Sequence, residues 1–215
     1  MIRNLMTLGI HFSNRTTGLI ALHTPTHQIG RTIELTRGAS ENLPLLVAET
    51  VAMARLDCSC LNRIGIVVGP GALTPLRVSM ATAQTISAVA QVPLVGVSAF
   101  EMLVDPAVTH LQIAVLEGRA GRCLVRGYLG TGASAVAVFD QIDHDVLKMG
   151  RLLQRFHCPF SVIANTPGLV TQLRSVMAGG AIKLGEQSAD HLISLINRQG
   201  TSDMQVEVEY GYAAT

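Results

Sequence analysis

The chain has 215 residues, 48% of them hydrophobic and only 14% charged, with a formal net charge of +1 and a mean hydropathy of +0.38. Soluble domains usually carry about 25% charged residues. Disorder needs low hydrophobicity and high net charge, so it is excluded. The near-neutral balance makes the chain as a whole no magnet for nucleic acid or anionic membranes.

Charge is spread evenly. Residues 1–105 hold seven basic and six acidic side chains, and residues 106–215 hold nine of each. Four cysteines, Cys58, Cys60, Cys123 and Cys158, are too few for a secreted disulfide scaffold. The segment Met1–Ile10 has no long apolar stretch of the secretory type. A cytoplasmic location is expected. Residues 78–100 carry no charge, but Gln84, Gln91, Pro93, Gly96 and several Ser and Thr argue against a membrane span. The apolar excess is expected inside the fold or against another protein.

In chain order, three short β-runs come first: Thr7–Ile10, Gly18–His23 and Gln28–Leu35, with turn chemistry between them. A helix is predicted over Glu41–Leu56 with Ser40 as N-cap, then a buried strand at Ile64–Val68. The hard turn Gly69-Pro70-Gly71 follows. A second helix is predicted over Pro75–Gln91 with Thr74 as N-cap, then a strand at Leu94–Val97. The second half repeats this order. Strands are read at Leu111–Leu116, Arg122–Leu129 and Ala133–Phe139, a helix at Asp143–Phe156 and a strand at Phe160–Ala164. A helix at Leu169–Met177, a strand at Ala181–Leu184 and a helix at Ser188–Arg198 complete it. The expected class is α/β: two ribonuclease-H-like lobes of the actin-like ATPase kind, each a mixed sheet in βββαβα order. Their boundary is placed at Asp105-Pro106, giving lobes 1–105 and 106–215, with the last helix on the second lobe or packed on the first.

Several motifs carry a second reading beside their structural one. Gly69-Pro-Gly71 leads a strand into a helix N-terminus, a geometry that binds anions, but it lacks a P-loop lysine and Pro75 removes one N–H; a structural turn is favoured. His23-Thr-Pro-Thr-His27 has metal-site spacing only on a helix, and Pro25 places it in a turn. Cys58-Ser-Cys60 is too tight for a zinc ribbon, and His157-Cys158 are sequence neighbours that seldom face each other. Asp140, Asp143 and Asp145 suit a solvated helix start, and Arg119, Arg122 and Arg126 suit surface salt partners. No catalytic or metal-binding residue is assigned. Ser13, Asn14, Thr16 and Thr17 are weak nucleotide-phosphate candidates.

The strongest signal lies in two helices. From Ile64 to Phe100 there is one charge, Arg77. At helical periodicity Leu43, Leu46, Val47, Val51, Met53 and Ala54 form a core face of the first helix, and Leu45, Ala52 and Leu56 a second stripe. In the second helix Leu76, Met80, Ala83, Ile86 and Ala90 share one face, with Val78 and Val89 off it. A helix apolar on two sides is deeply buried or covered by a partner. The expected partner surface comprises Leu45, Ala52, Leu56, Val78, Thr82 and Val89.

Gly69-Pro-Gly-Ala-Leu-Thr-Pro-Leu-Arg77 resembles the pattern G-P-G-S-F-T-G-L-R, and Pro93-Leu-Val-Gly-Val-Ser98 with Glu101 resembles P-x-x-G-V-S-x-L-E. Arg37-Gly-Ala-Ser40 through Leu43-Pro-Leu-Leu46 resembles R-x-H-S…L-x-P-x-I, and Glu117-Gly-Arg119 stands where the pattern has D-A-R. These motifs are similar to those of the TsaB family, subunits of bacterial tRNA threonylcarbamoyladenosine synthesis. The resemblance implies a two-lobed actin-like fold without its own catalysis, dimerising through this helix pair with a catalytic paralogue, TsaD. An ATPase subunit, TsaE, completes the assembly; ATP and Mg²⁺ belong to these partners and tRNA is met only indirectly. The chain departs from the pattern where a first-strand Asp would stand: it reads Gly9-Ile10-His11-Phe12-Ser13. Ala72-Leu73 replaces Ser-Phe, Pro75 a Gly and Ala39 a His, and Glu209-Tyr-Gly-Tyr212 stands in place of P-x-Y-L-R. A rival reading is an actin-like or sugar-kinase-type nucleotide-binding phosphotransferase; a third is a self-associating homodimer.

Overall fold

A computed structural model of the chain describes residues 5–36, 38–130, 136–153, 156–177, 181–199 and 206. The first half forms β1 (Thr7–His11), β2 (Thr17–His23), β3 (Gln28–Glu34), α1 (Leu43–Met53), β4 (Arg63–Gly69), α2 (Leu73–Ala90) and β5 (Leu94–Ser98). The second forms β6 (Leu111–Glu117), β7 (Arg122–Leu129), β8 (Val136–Asp145), α3 (Val146–Leu153), β9 (Phe160–Ala164), α4 (Pro167–Val176), β10 (Ala181–Leu184) and α5 (Ala189–Arg198). Two five-stranded mixed sheets result, ordered β3-β2-β1-β4-β5 and β10-β9-β6-β7-β8. In each, three strands pair antiparallel and two further strands add in parallel beyond the first. The expected α/β class and repeated βββαβα order are therefore present.

The chain divides into two compact units. The first takes the residues up to Ala99 and again those from Gln187 onward through α5 and Val206; the second runs Phe100–Glu186. The boundary expected at Asp105-Pro106 thus falls at Ala99/Phe100, and α5 belongs to the first unit. Side chains explain the shift. The Gln112 amide holds the Asp105 backbone by two hydrogen bonds of 2.9 and 2.8 Å. Phe100 lies under the Arg126 guanidinium, 4.8 Å from its ring centroid.

In the first unit, Leu8, Ile10, Phe12, Ile64 and Ile66 face Leu43, Val47 and Val51 of α1 and Met80 and Ala83 of α2. The opposite face is opened by glycines. Gly9 and Gly65 pair in register across β1 and β4. A Cβ on Gly65 would stand 2.1 Å from Ile196 Cγ1, and one on Gly9 2.9 Å from Leu192 Cδ2. A Cβ on Gly30 would meet Ala189 Cβ at 2.9 Å. Glycine inside a strand marks such close approach. These three residues let α5 lie against the sheet, where Leu192 and Ile196 are fully buried. Ser188 caps α5, its hydroxyl accepting from His191 N at 3.1 Å.

The second unit packs Ile113, Val115, Val125 and Val162 against Met149 and Leu153 of α3 and Leu169 and Leu173 of α4. Gly127 makes room for Phe139, which stacks on Phe156 at 6.1 Å between centroids.

Several boundaries differ from expectation. The helix expected at Glu41–Leu56 with Ser40 as cap begins at Leu43, after a 3-10 turn at Ala39–Asn42, with no side-chain cap. Pro44, lacking an N–H, fits its first turn, and Arg55 with φ 57° lies just beyond its end. The second helix starts at Leu73, so Thr74 lies inside it and Ala72 occupies the N-cap position. The strand expected at Ala133–Phe139 runs Val136–Asp145, Ala133 itself lying outside the described residues. The helix expected from Asp143 therefore starts at Val146, and Asp140 and Asp143 belong to a strand. Only Asp145 serves a helix start: its carboxylate accepts from Leu147 N at 2.8 Å. No helix among the described residues is long and apolar enough to cross a membrane.

Candidate functional site

Two places in the first unit bear on function: the end of β1 and the outer face of the α1/α2 pair. His11 ends β1 and is fully buried. Its Nε2 lies 2.7 Å from Ser13 Oγ, while Nδ1 is buried without a hydrogen-bond partner. Burial pushes its pKa down from 6.5 to about 4, so the ring is neutral at physiological pH. The Ser13 carbonyl accepts Ala72 N at 2.7 Å, and a Cβ on Gly71 would stand 2.2 Å from that oxygen. The turn therefore abuts the β1 end through its glycine. Ser13 and Asn14 are buried; Asn14 Nδ2 is 3.5 Å from Thr17 Oγ1, Thr17 is half-buried and Thr16 exposed.

An actin-like nucleotide site needs a carboxylate at this strand end to hold hydrated Mg²⁺. A neutral imidazole engaged by Ser13 does not supply one, so the residues at the β1 end do not fit the ion.

The buried imidazole sets a pH dependence. The unfolded chain protonates His11 at about 6.5 and the folded chain only at about 4, so stability is full above 6.5 and falls as pH drops towards 4. The loss through this window is about 3 kcal/mol. Urea denaturation at pH 7.5 and pH 4.5 will show it, and His11→Gln, which keeps a polar atom near Nε2 but cannot protonate, will flatten it.

On the α1/α2 pair the structure leaves Leu45 60% and Val89 80% exposed, with Ala52 also exposed. Leu56 and Val78, expected on the same surface, are half-buried and pack on the core. Thr82, also expected there, is 8% exposed, and its hydroxyl bonds the Val78 carbonyl at 2.9 Å. Met53, expected on the core face, is 60% exposed instead. Leu46 is only half-buried. Between the helices lies an apolar groove of about 340 Å³ lined by Pro44, Val47, Ala48, Cys58, Ala81, Thr82, Thr85 and Ile86. Alanines at 48 and 81 keep its walls low. Cys58 enters from the 3-10 turn Cys58–Cys60 beyond α1, so helical periodicity could not show it. The Asp57 carboxylate caps that turn, accepting from Ser59 N and Oγ. Burial and the neighbouring Asp57 push the Cys58 thiol pKa up, away from nucleophilic use.

The remaining motifs are placed without a shared site. His23 ends β2 and His27 precedes β3, joined by a turn in which Thr24 N bonds the His27 carbonyl at 2.9 Å. Cys158 is exposed and Cys123 lies in the core. Arg122 and Arg126 lie on β7, and Arg119 in the preceding turn. Among the described residues no three His, Cys, Asp or Glu side chains are grouped to hold a metal.

A family model described as TsaD, tRNA N6-adenosine threonylcarbamoyltransferase, matches residues 34–156, more than half of the chain. The chain belongs to the TsaD family. Two solved structures share its fold. One is described as an uncharacterized protein from Pseudomonas aeruginosa with similarity to peptidase YeaZ. It is 17% identical, with a TM-score of 0.71 over 89% of each chain. The other, YeaZ from Pseudomonas aeruginosa, is 18% identical, with a TM-score of 0.69 over 89% of this chain and 90% of that one. No curated protein matches the sequence. Within the TsaD family the chain is a divergent member that shares the fold of these two structures. Its region of match includes α1, α2 and the Gly69–Gly71 turn.

Proposed function

We propose that the chain is a non-catalytic partner subunit needed for threonylcarbamoyladenosine modification of tRNA. It dimerises through the outer face of α1 and α2 with a TsaD-like catalytic paralogue. The observation that carries this reading is the helix pair itself. It exposes Leu45, Met53 and Val89 and carries an apolar groove, in a family tied to this chemistry. Exposed apolar surface of this kind marks association sites. A standard interface buries roughly 1,600 Å² in total.

In this reading ATP and Mg²⁺ are handled by the partner subunits, including a TsaE-like ATPase, and tRNA is contacted only indirectly. The work takes place in the cytoplasm. His11 supports it against the phosphotransferase alternative, because a neutral buried imidazole cannot anchor Mg·ATP.

The test is reconstitution. Added to an assembly lacking its TsaB subunit, the chain is expected to restore threonylcarbamoyladenosine on tRNA. Turnover of Mg·ATP by the isolated chain would instead establish the phosphotransferase. Self-association that excludes the TsaD-like protein would establish a homodimer of separate role.

A further inference from the structure

Helix α1 poses a problem of orientation. Of its eleven residues, Leu-Pro-Leu-Leu-Val-Ala-Glu-Thr-Val-Ala-Met, only Glu49 and Thr50 are polar. The stripe Leu43, Val47, Val51 is buried, while Leu45, Ala48 and Ala52 face outward. Both stripes are apolar, so burial alone discriminates weakly between rotational settings of the helix about its axis.

A polar device discriminates between them. β3 is the edge strand of its sheet, and its inward face reads Ile29, Arg31, Ile33. Both isoleucines pack on the core, and Arg31 stands between them in the strand. Arg31 Nη1 lies 3.3 Å from the Leu46 carbonyl, 3.2 Å from Glu49 Oε2 and 3.2 Å from Thr50 Oγ1. Thr50 is fully buried and itself donates to the Leu46 carbonyl at 2.7 Å. Three acceptors on one turn of α1 thus converge on one cation from the neighbouring strand.

We propose that Arg31 is a positioning residue that sets the rotation of α1 and so selects which apolar stripe forms the docking surface. This rests on the docking reading above. Turning α1 to bury Leu45 would carry Glu49 and Thr50 off the guanidinium and leave a half-buried cation without its acceptors. Polar groups among apolar ones are known to specify register at little gain in stability, and that is the role Arg31 plays here.

The test uses Arg31→Met, which keeps the length of the stem without the charge. In the isolated chain, a soluble paramagnetic agent should relax the Leu45 and Met53 methyls strongly and spare Leu43 and Val47. In Arg31→Met that contrast is expected to shrink or α1 resonances to double, while the melting temperature stays near wild type. If the competent rotation falls to about a tenth of the population, Kd for the purified TsaD-like paralogue rises about tenfold. Arg31→Lys should recover part of both effects. A single set of α1 resonances with wild-type relaxation in Arg31→Met overturns the proposal, as does altered relaxation with unchanged Kd. Should Arg31→Met not fold, Glu49→Gln combined with Thr50→Val removes the acceptors and gives the same readouts. If Leu45→Asp and Val89→Asp both bind the paralogue normally, the docking reading fails, and the relaxation contrast still decides whether Arg31 sets the rotation.

Discussion

Replacing Gly65 with alanine is expected to destabilise the first unit by about 3 kcal/mol in urea denaturation, the upper range for overpacking a core. The added methyl would stand 2.1 Å from Ile196 Cγ1 and 2.2 Å from its Cδ1, with Cγ2 at 2.8 Å. A flexible side-chain tip could swing aside, but these atoms surround a β-branched centre held in a helix, where χ1 is restricted. Relief would require α5 to lift. That would loosen Leu192, fully buried, together with the Thr7–Asn197 hydrogen bond of 3.2 Å and the Arg63 bond to the Ile196 carbonyl of 3.3 Å. Ile196→Ala alone creates a cavity costing about 3 kcal/mol. The double variant Gly65→Ala/Ile196→Ala should lose far less than the sum, because each change makes room for the other. Strict additivity would show that α5 does not rest on β4.

The second large effect concerns association. Leu45→Asp and Val89→Asp are each expected to weaken binding of the TsaD-like paralogue by about a hundredfold or more, since a carboxylate enters a desolvated apolar contact. Both side chains are exposed, at 60% and 80%. Each monomer should therefore keep its stability to within about 0.5 kcal/mol. Analytical ultracentrifugation of the mixed proteins measures the first quantity and thermal melting the second. Native affinity in both variants would show that the α1/α2 face is not the interface.

The two halves differ in how plainly residues announce their places. Turn chemistry at Thr24-Pro25-Thr26 and Gly69-Pro70-Gly71 brackets short apolar runs, so the strands of the first unit could be placed closely from sequence. β8 was harder. Asp140-Gln-Ile-Asp-His-Asp145 alternates weakly and is rich in residues suited to a helix start, yet it continues an edge strand paired to β7 through two register shifts. The helix pair was legible as a surface but not residue by residue. With so few charged residues, the two helices show their faces only weakly at helical periodicity, which points Met53 inward and Thr82 and Val78 outward, opposite to where they lie. What sequence periodicity cannot show is the partner of Glu49 and Thr50: Arg31, one strand away. Similarly, Gly9, Gly30 and Gly65 were the available sign that α5 crosses the first sheet, since strand interiors seldom spare a side chain without something lying close.

That crossing bears on how the molecule is made. A ribosome delivers β1 to β5 first, and α1 and α2 can cover one face of their sheet as soon as they emerge. The other face, with its row of glycines, stays bare while the whole of β6 to β10 is synthesised, because its cover is encoded at residues 189–198. Nascent chains halted anywhere in the second unit should therefore remain sensitive to protease at β1 and β4, becoming resistant only once α5 has left the exit tunnel. Completion of the first unit is thus timed by α5, and a chain truncated before it exposes unfinished β-sheet rather than a folded fragment.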